Sequence, residues 1–133
     1  MHKMSYFSKK IISWQKINGR NNLPWQAKSP YHVWISEIML QQTQVKTVIP
    51  YFHKFIKSFP SIKSLAKSDL DKVLANWSGL GYYTRAKNIH RASKIIHQKF
   101  NGIIPNDYEQ LIELPGIGES TAGALLSLAF DEP

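Results

Sequence analysis

The chain has 133 residues and no cysteine, with 17 Lys and Arg against 9 Asp and Glu, for a net charge of +8. That length suits one domain with a single core. The missing thiols exclude a disulfide framework, a Cys-ligated zinc site and an iron–sulfur cluster held by these residues. No apolar run nears the roughly 20 residues of a membrane span, and Met1–Ser5 lacks the apolar core of a signal peptide. Both point to a soluble, cytoplasmic protein. The charge is unevenly placed: residues 1–68 hold eleven Lys and Arg with Glu37 as their single acid, and residues 107–133 hold six acids and no base. A basic front suits a polyanion such as nucleic acid, although lysine is also the default solvent residue in a composition this rich in Lys, Ile and Asn.

The periodicity is helical almost throughout, which predicts an all-α fold. Tyr6, Phe7, Ile11, Trp14 and Ile17 form a first stripe over about residues 5–18, stopped by Asn18-Gly19. A loop at Asn21–Trp25 follows. Ser29-Pro30 reads as an N-cap with proline at the first helical position, opening a helix over about 30–42. Val45, Val48, Phe52, Phe55 and Phe59 mark the next, in which Pro50 is expected to end, kink or restart the helix. Ser61 and Ser68 are expected to cap two short helices, and Ser78–Gly81 is a turn. A long helix over about 82–100 closes at Asn101-Gly102. Asn106 is expected to cap a helix over 107–114, Pro115–Gly118 breaks it, and 119–130 resumes it.

Leu114-Pro115-Gly116-Ile117-Gly118 is the most informative local pattern. Two glycines around one aliphatic residue permit a tight hairpin whose backbone N–H groups face outward, with Ile117 as its apolar anchor. Such donors beside a helix start suit one DNA phosphate. An ordinary αα-hairpin with a Gly-rich turn is the plainer alternative.

Glu37 shares a helical face with Val33, Trp34, Leu40 and Gln41. An acid in apolar company holds its proton to higher pH and can protonate a leaving group. A solvent-facing or lysine-paired glutamate is an equal reading on geometry alone. Gln41, Gln42, Thr43 and Gln44 at the helix end both donate and accept, as contacts to base edges require. Tyr82 and Tyr83 enter a helix from a glycine turn, with Arg85, Lys87 and Arg91 behind them. An aromatic presented there can wedge into a base stack; Tyr83 is expected to cap the core instead, and Tyr82 to be presented.

Together these strings resemble the helix–hairpin–helix superfamily of DNA glycosylases, and within it the MutY adenine glycosylase family. The strings are Leu23-Pro24-Trp25, Pro30-Tyr31-His32-Val33-Trp34, Ser36–Val45, Gly79-Leu80-Gly81-Tyr82-Tyr83 and Leu114–Gly118, in register from about residue 6 to 130. The resemblance implies a six-helix barrel domain over 21–133 with its helix–hairpin–helix motif at about 107–130. It also implies an N-terminal helix within 1–20 that packs in an iron–sulfur domain. The implied reaction removes adenine mispaired with 8-oxoguanine or guanine from double-stranded DNA, performed by a monomer in the bacterial cytoplasm.

By the same resemblance Glu37 is the general acid, Gln42 and Tyr82 wedge into the stack, and Thr43 sits near the opposite base. Trp25 and Gln26 line the adenine pocket, Gln26 standing where an Arg is sometimes found. Gln41, Arg85, Gly116, Gly118 and Ser120 join the DNA-binding set. Ser120 replaces the Schiff-base lysine of the endonuclease III branch, which implies a monofunctional glycosylase. Glu119 stands where many relatives carry a base and should weaken phosphate binding. The family's 4Fe-4S cluster has no ligands here, so no cofactor or metal is assigned to these residues beyond a monovalent cation at the hairpin carbonyls. The family's second carboxylate, an Asp in an Asp-Gly-Asn-Val-like segment, is not matched by Asp131. Residues 1–133 alone are therefore expected to bind duplex DNA weakly and hardly cleave. A non-catalytic helix–hairpin–helix DNA-binding module and an endonuclease III-like lyase are the alternatives.

Overall fold

Pro30 sets the φ of the first helical residue, and the run after it is apolar on every side, so the helix it starts is built to be surrounded. A computed structural model describes residues 29–130. The N-terminal stripe, Trp25, Gln26 and Asp131 lie outside the described residues. Within them the elements are α1 (Pro30–Leu40), α2 (Val45–Ser58), α3 (Ile62–Lys67), α4 (Leu70–Trp77), α5 (Tyr83–Lys99), α6 (Tyr108–Ile112), α7 (Glu119–Ala124) and a π-helical turn (Leu125–Ala129). Among the described residues there is no strand, as an all-α chain requires.

The axis of the fold is α1, which buries Tyr31 and every residue from Val33 to Leu40. It packs against α2 on one side and against α7 and the π-helical turn on another. Trp34, Ile35, Met39 and Leu40 are each almost wholly enclosed, and such side chains contribute about 1.5–3 kcal/mol apiece. The long helix α5 lies along α3 and α4, and α4 returns to α2. Two side chains of α5 close off α3: Lys94 donates to the Ala66 carbonyl at 2.8 Å, and His90 Nε2 lies 2.8 Å from the Ser68 carbonyl. Both satisfy carbonyls that a helix end leaves without partners.

Several local expectations are corrected. α1 stops at Leu40 rather than residue 42, because Gln41 turns extended at ψ 114° and Gln42 follows with a left-handed φ of 61°. Pro50 neither ends nor restarts α2, which runs through it. Pro50 and Lys46 both face solvent, so water can take the carbonyl that proline leaves without a donor. Ser68 does not cap α4; its hydroxyl turns back to the Leu65 carbonyl at 2.8 Å, and Asp69 is the N-cap residue. Asp107, not Asn106, caps α6, accepting from the Gln110 N–H at 2.9 Å. The stop at Asn101-Gly102 holds, with both residues left-handed and the Gly102 N–H returning 3.0 Å to the Ile96 carbonyl. The last helical stretch is split, α-helical to Ala124 and π-helical beyond.

Candidate active site

Only two polar side chains lie in the buried stretch of α1, and they are treated differently. Ser36 returns its hydroxyl 2.8 Å to the Val33 carbonyl, so it is satisfied within the helix. Glu37 is 1% exposed, and its Oε2 has no hydrogen-bond partner. Burial pushes its pKa from an ordinary 4.5 to about 8. Unpaired buried carboxyls are costly and therefore uncommon unless they serve a purpose. At neutral pH this one is a protonated acid with nothing to give its proton to. Of the two readings open from helical geometry, the solvent-facing or lysine-paired glutamate is excluded.

The end of α1 is shaped by partners from elsewhere. Gln41 turns inward, its Nε2 donating to Thr121 Oγ1 on α7 at 3.4 Å. Gln42 is exposed on its left-handed backbone, and Thr43 is half-buried, its hydroxyl donating to the Gln41 carbonyl at 3.4 Å. Across from this loop Tyr82 also adopts a left-handed φ of 56° and is 58% exposed. Left-handed non-glycine residues are uncommon, and two of the three among the described residues, Gln42 and Tyr82, are the ones expected from the sequence to enter a base stack. Tyr83, expected to cap the core, is instead 45% exposed. It begins α5, one residue after the left-handed Tyr82. Arg85 does not face solvent freely: its Nη1 donates to the carbonyls of Ile38 at 2.5 Å and Gln41 at 2.6 Å, and lies 3.5 Å from that of Met39.

At the hairpin Ile117 is buried while Gly116, Gly118, Glu119 and Ser120 are exposed, as a loop offering its backbone outward requires. Gly116 has no substitute. Its φ is +77°, and an added Cβ would come 2.8 Å from the Asn88 Cβ of α5. Gly118 differs, with φ at −99° and nothing near an added Cβ. Gly116→Ala is therefore expected to destabilise the fold by about 1–3 kcal/mol. Gly118→Ala is expected to keep its melting temperature and lose only affinity for duplex DNA. Thermal melts paired with a DNA titration separate the two.

The sequence profile of the HhH-GPD superfamily of base excision DNA repair proteins matches residues 35–124. The chain belongs to that superfamily. An adenine DNA glycosylase of Buchnera aphidicola subsp. Baizongia pistaciae (strain Bp) is 63% identical over 126 residues, covering 94% of this chain and 36% of that protein. The adenine DNA glycosylase of Rattus norvegicus is 38% identical over 136 residues, covering 95% of this chain and 26% of its own length. The chain thus spans little more than a third of these relatives at most. Among solved structures, a thermostable thymine-DNA glycosylase superposes with a TM-score of 0.79 at 23% identity, over 95% of this chain and 58% of that one. Endonuclease III in a non-covalent complex with DNA gives 0.75 at 21%, over 93% and 60%. At such identities the two structures speak for a shared helical fold.

Within this HhH-GPD domain the acid helix and the hairpin meet through α5. Gln41, Arg85 and Gly116 line one cavity of about 100 Å³, shared with Trp34 and Asn88. Glu37 is not among its lining residues, and neither is Gly118 or Ser120. Asn88 and Thr121 position the hairpin and the end of α1, yet no local pattern marks either. Asn88 sits one turn beyond Arg85 on the same helix, and Thr121 follows Ser120 directly. Among the described residues no three His, Cys, Asp or Glu come together as a metal site, and no helix is long and apolar enough to cross a membrane.

Proposed function

We propose that the protein is a monofunctional adenine DNA glycosylase, hydrolysing the N-glycosidic bond of adenine mispaired with 8-oxoguanine or guanine. The single observation that carries this is the buried carboxyl of Glu37, whose Oε2 has no hydrogen-bond partner and whose burial raises its pKa. The name shared by relatives up to 63% identical supplies the base. Protonation of adenine N7 by Glu37 turns the base into a neutral leaving group. The C1′–N9 bond breaks, and water adds to C1′ and releases a proton. Gln42 and Tyr82 fill the gap as adenine leaves the stack, Thr43 lies beside the opposite base, and Trp25 and Gln26, outside the described residues, are assigned to the adenine pocket by the family resemblance. The amides of Gly116, Gly118 and Ser120 hold a phosphate, a contact that positions without reading sequence.

The domain boundaries at 20 and 21 belong to the same reading, as do action as a monomer and a bacterial cytoplasmic setting. The 4Fe-4S cluster of the family does not fit these residues, which offer no thiolate, and no step runs through it. A monovalent cation fits the hairpin better. The Leu114 carbonyl accepts from the Ile117 N–H at 3.1 Å and keeps a second lone pair for a cation. Stabilising the positive charge that grows on the sugar calls for a second carboxylate, and this is usually the larger contribution to rate.

The test is adenine release from an A:8-oxoguanine duplex, read as strand cleavage after hot alkali. The whole protein is expected to cleave that duplex and spare an A:T one, and residues 1–133 alone to bind weakly and hardly cleave. Borohydride is expected to trap no covalent adduct. Failure of the whole protein to release adenine overturns the assignment, and an adduct replaces it with a lyase.

A further inference from the structure

We propose that Arg85 is a positioning residue that holds the two stack-entering side chains, Gln42 and Tyr82, in fixed relation, and that it does not contact DNA. This rests on the glycosylase reading above. A basic residue just behind a wedge invites assignment to a phosphate, but the hydrogen bonds that Arg85 makes all go to carbonyls of this chain. One terminal nitrogen serves the carbonyls of Ile38 and Gln41, with that of Met39 at the edge of reach. These carbonyls lie in the last turn of α1 and the cap that follows it, where N–H partners run short, the Ile38 carbonyl keeping a 3.3 Å bond from the Gln41 N–H, and the helix dipole favours a cation. The residue after Gln41 is Gln42, so fixing the Gln41 carbonyl fixes the peptide that launches the first wedge.

The other end of the group fixes the second wedge. The guanidinium carbon lies 4.9 Å from the centre of the Tyr82 ring and 5.8 Å from that of Trp77. Trp77 is itself locked, its indole N–H donating to the Gly81 carbonyl at 2.9 Å. Arg85 Nε and Nη2 have no partner, but both are buried, so a phosphate approaching from solvent does not reach them. A planar cation between two rings and a fan of carbonyls is a task for arginine. An ammonium keeps the charge but has no plane to lay against the two rings.

The test uses the whole protein and a duplex with 2-aminopurine beside the target, a 2′-fluoro-deoxyadenosine opposite 8-oxoguanine. The fluorine resists cleavage, so a fluorescence rise reports base extrusion alone. Arg85→Lys is expected to bind within about threefold of the native affinity and to lose most of the fluorescence rise. Arg85→Gln is expected to leave the slope of affinity against salt unchanged, whereas loss of a phosphate contact lowers it by about one. A full rise with Arg85→Lys overturns the proposal, as does a lowered slope with Arg85→Gln. Parallel loss of affinity and fluorescence also overturns it, by making Arg85 a general structural residue. No rise with the native protein defeats the base-extrusion reading itself, and this proposal with it.

Discussion

The Glu37→Gln protein is expected to bind an A:8-oxoguanine duplex nearly as the native protein does and to release adenine about 10²–10⁴ times more slowly, the range that general acid catalysis contributes. The amide matches the carboxyl in shape and carries no acidic proton. Glu37 lies in a helix buried on all sides, so its neighbours have little room to supply a substitute donor. Single-turnover rates and equilibrium binding on the same duplex separate chemistry from affinity. Because the carboxyl holds its proton up to about pH 8, the native single-turnover rate is expected to stay high below that pH and to fall above it. Turnover of the Glu37→Gln protein at the native rate would remove Glu37 from the chemistry.

How far the sequence reveals this site depends on the range of the interactions involved. α1 is readable because its signals are local: Ser29-Pro30 starts it, and an apolar run tells of burial on all sides. The exposure of Gly116 with Ile117 buried follows from the glycine pattern alone. The burial of Glu37 is half-readable, since its neighbours are apolar but only the packing of other elements onto α1 decides that solvent never reaches it. Arg85 marks the opposite limit. Its place among basic residues predicts DNA, while a hydrogen bond spanning 47 positions in the chain turns it inward. Asn88 and Thr121 act through contacts of the same long range. The misassigned caps are smaller cases, in which neighbouring residues, Ser68 with Asp69 and Asn106 with Asp107, compete for one role and only the backbone geometry chooses.

The buried acid has a second consequence, for stability. In the fold Glu37 keeps its proton until about pH 8, while in the unfolded chain it loses it near its ordinary 4.5. Between those values the unfolded state binds fewer protons than the folded one, so stability falls as pH rises through the window and levels off above about 8. Each unit of separation is worth about 1.4 kcal/mol, which bounds the full effect at roughly 5 kcal/mol. Glu37→Gln has no proton to lose. Denaturant midpoints taken from pH 4 to 9 are expected to agree closely at the acid end and to favour the variant increasingly toward pH 8. A difference between the two proteins that does not change with pH would mean that Glu37 ionises normally in the fold, and its claim to be a proton donor would go with it. A difference that opens across the window would show the protein giving up stability at neutral pH to keep one proton out of water's reach, which a structural glutamate has no reason to do.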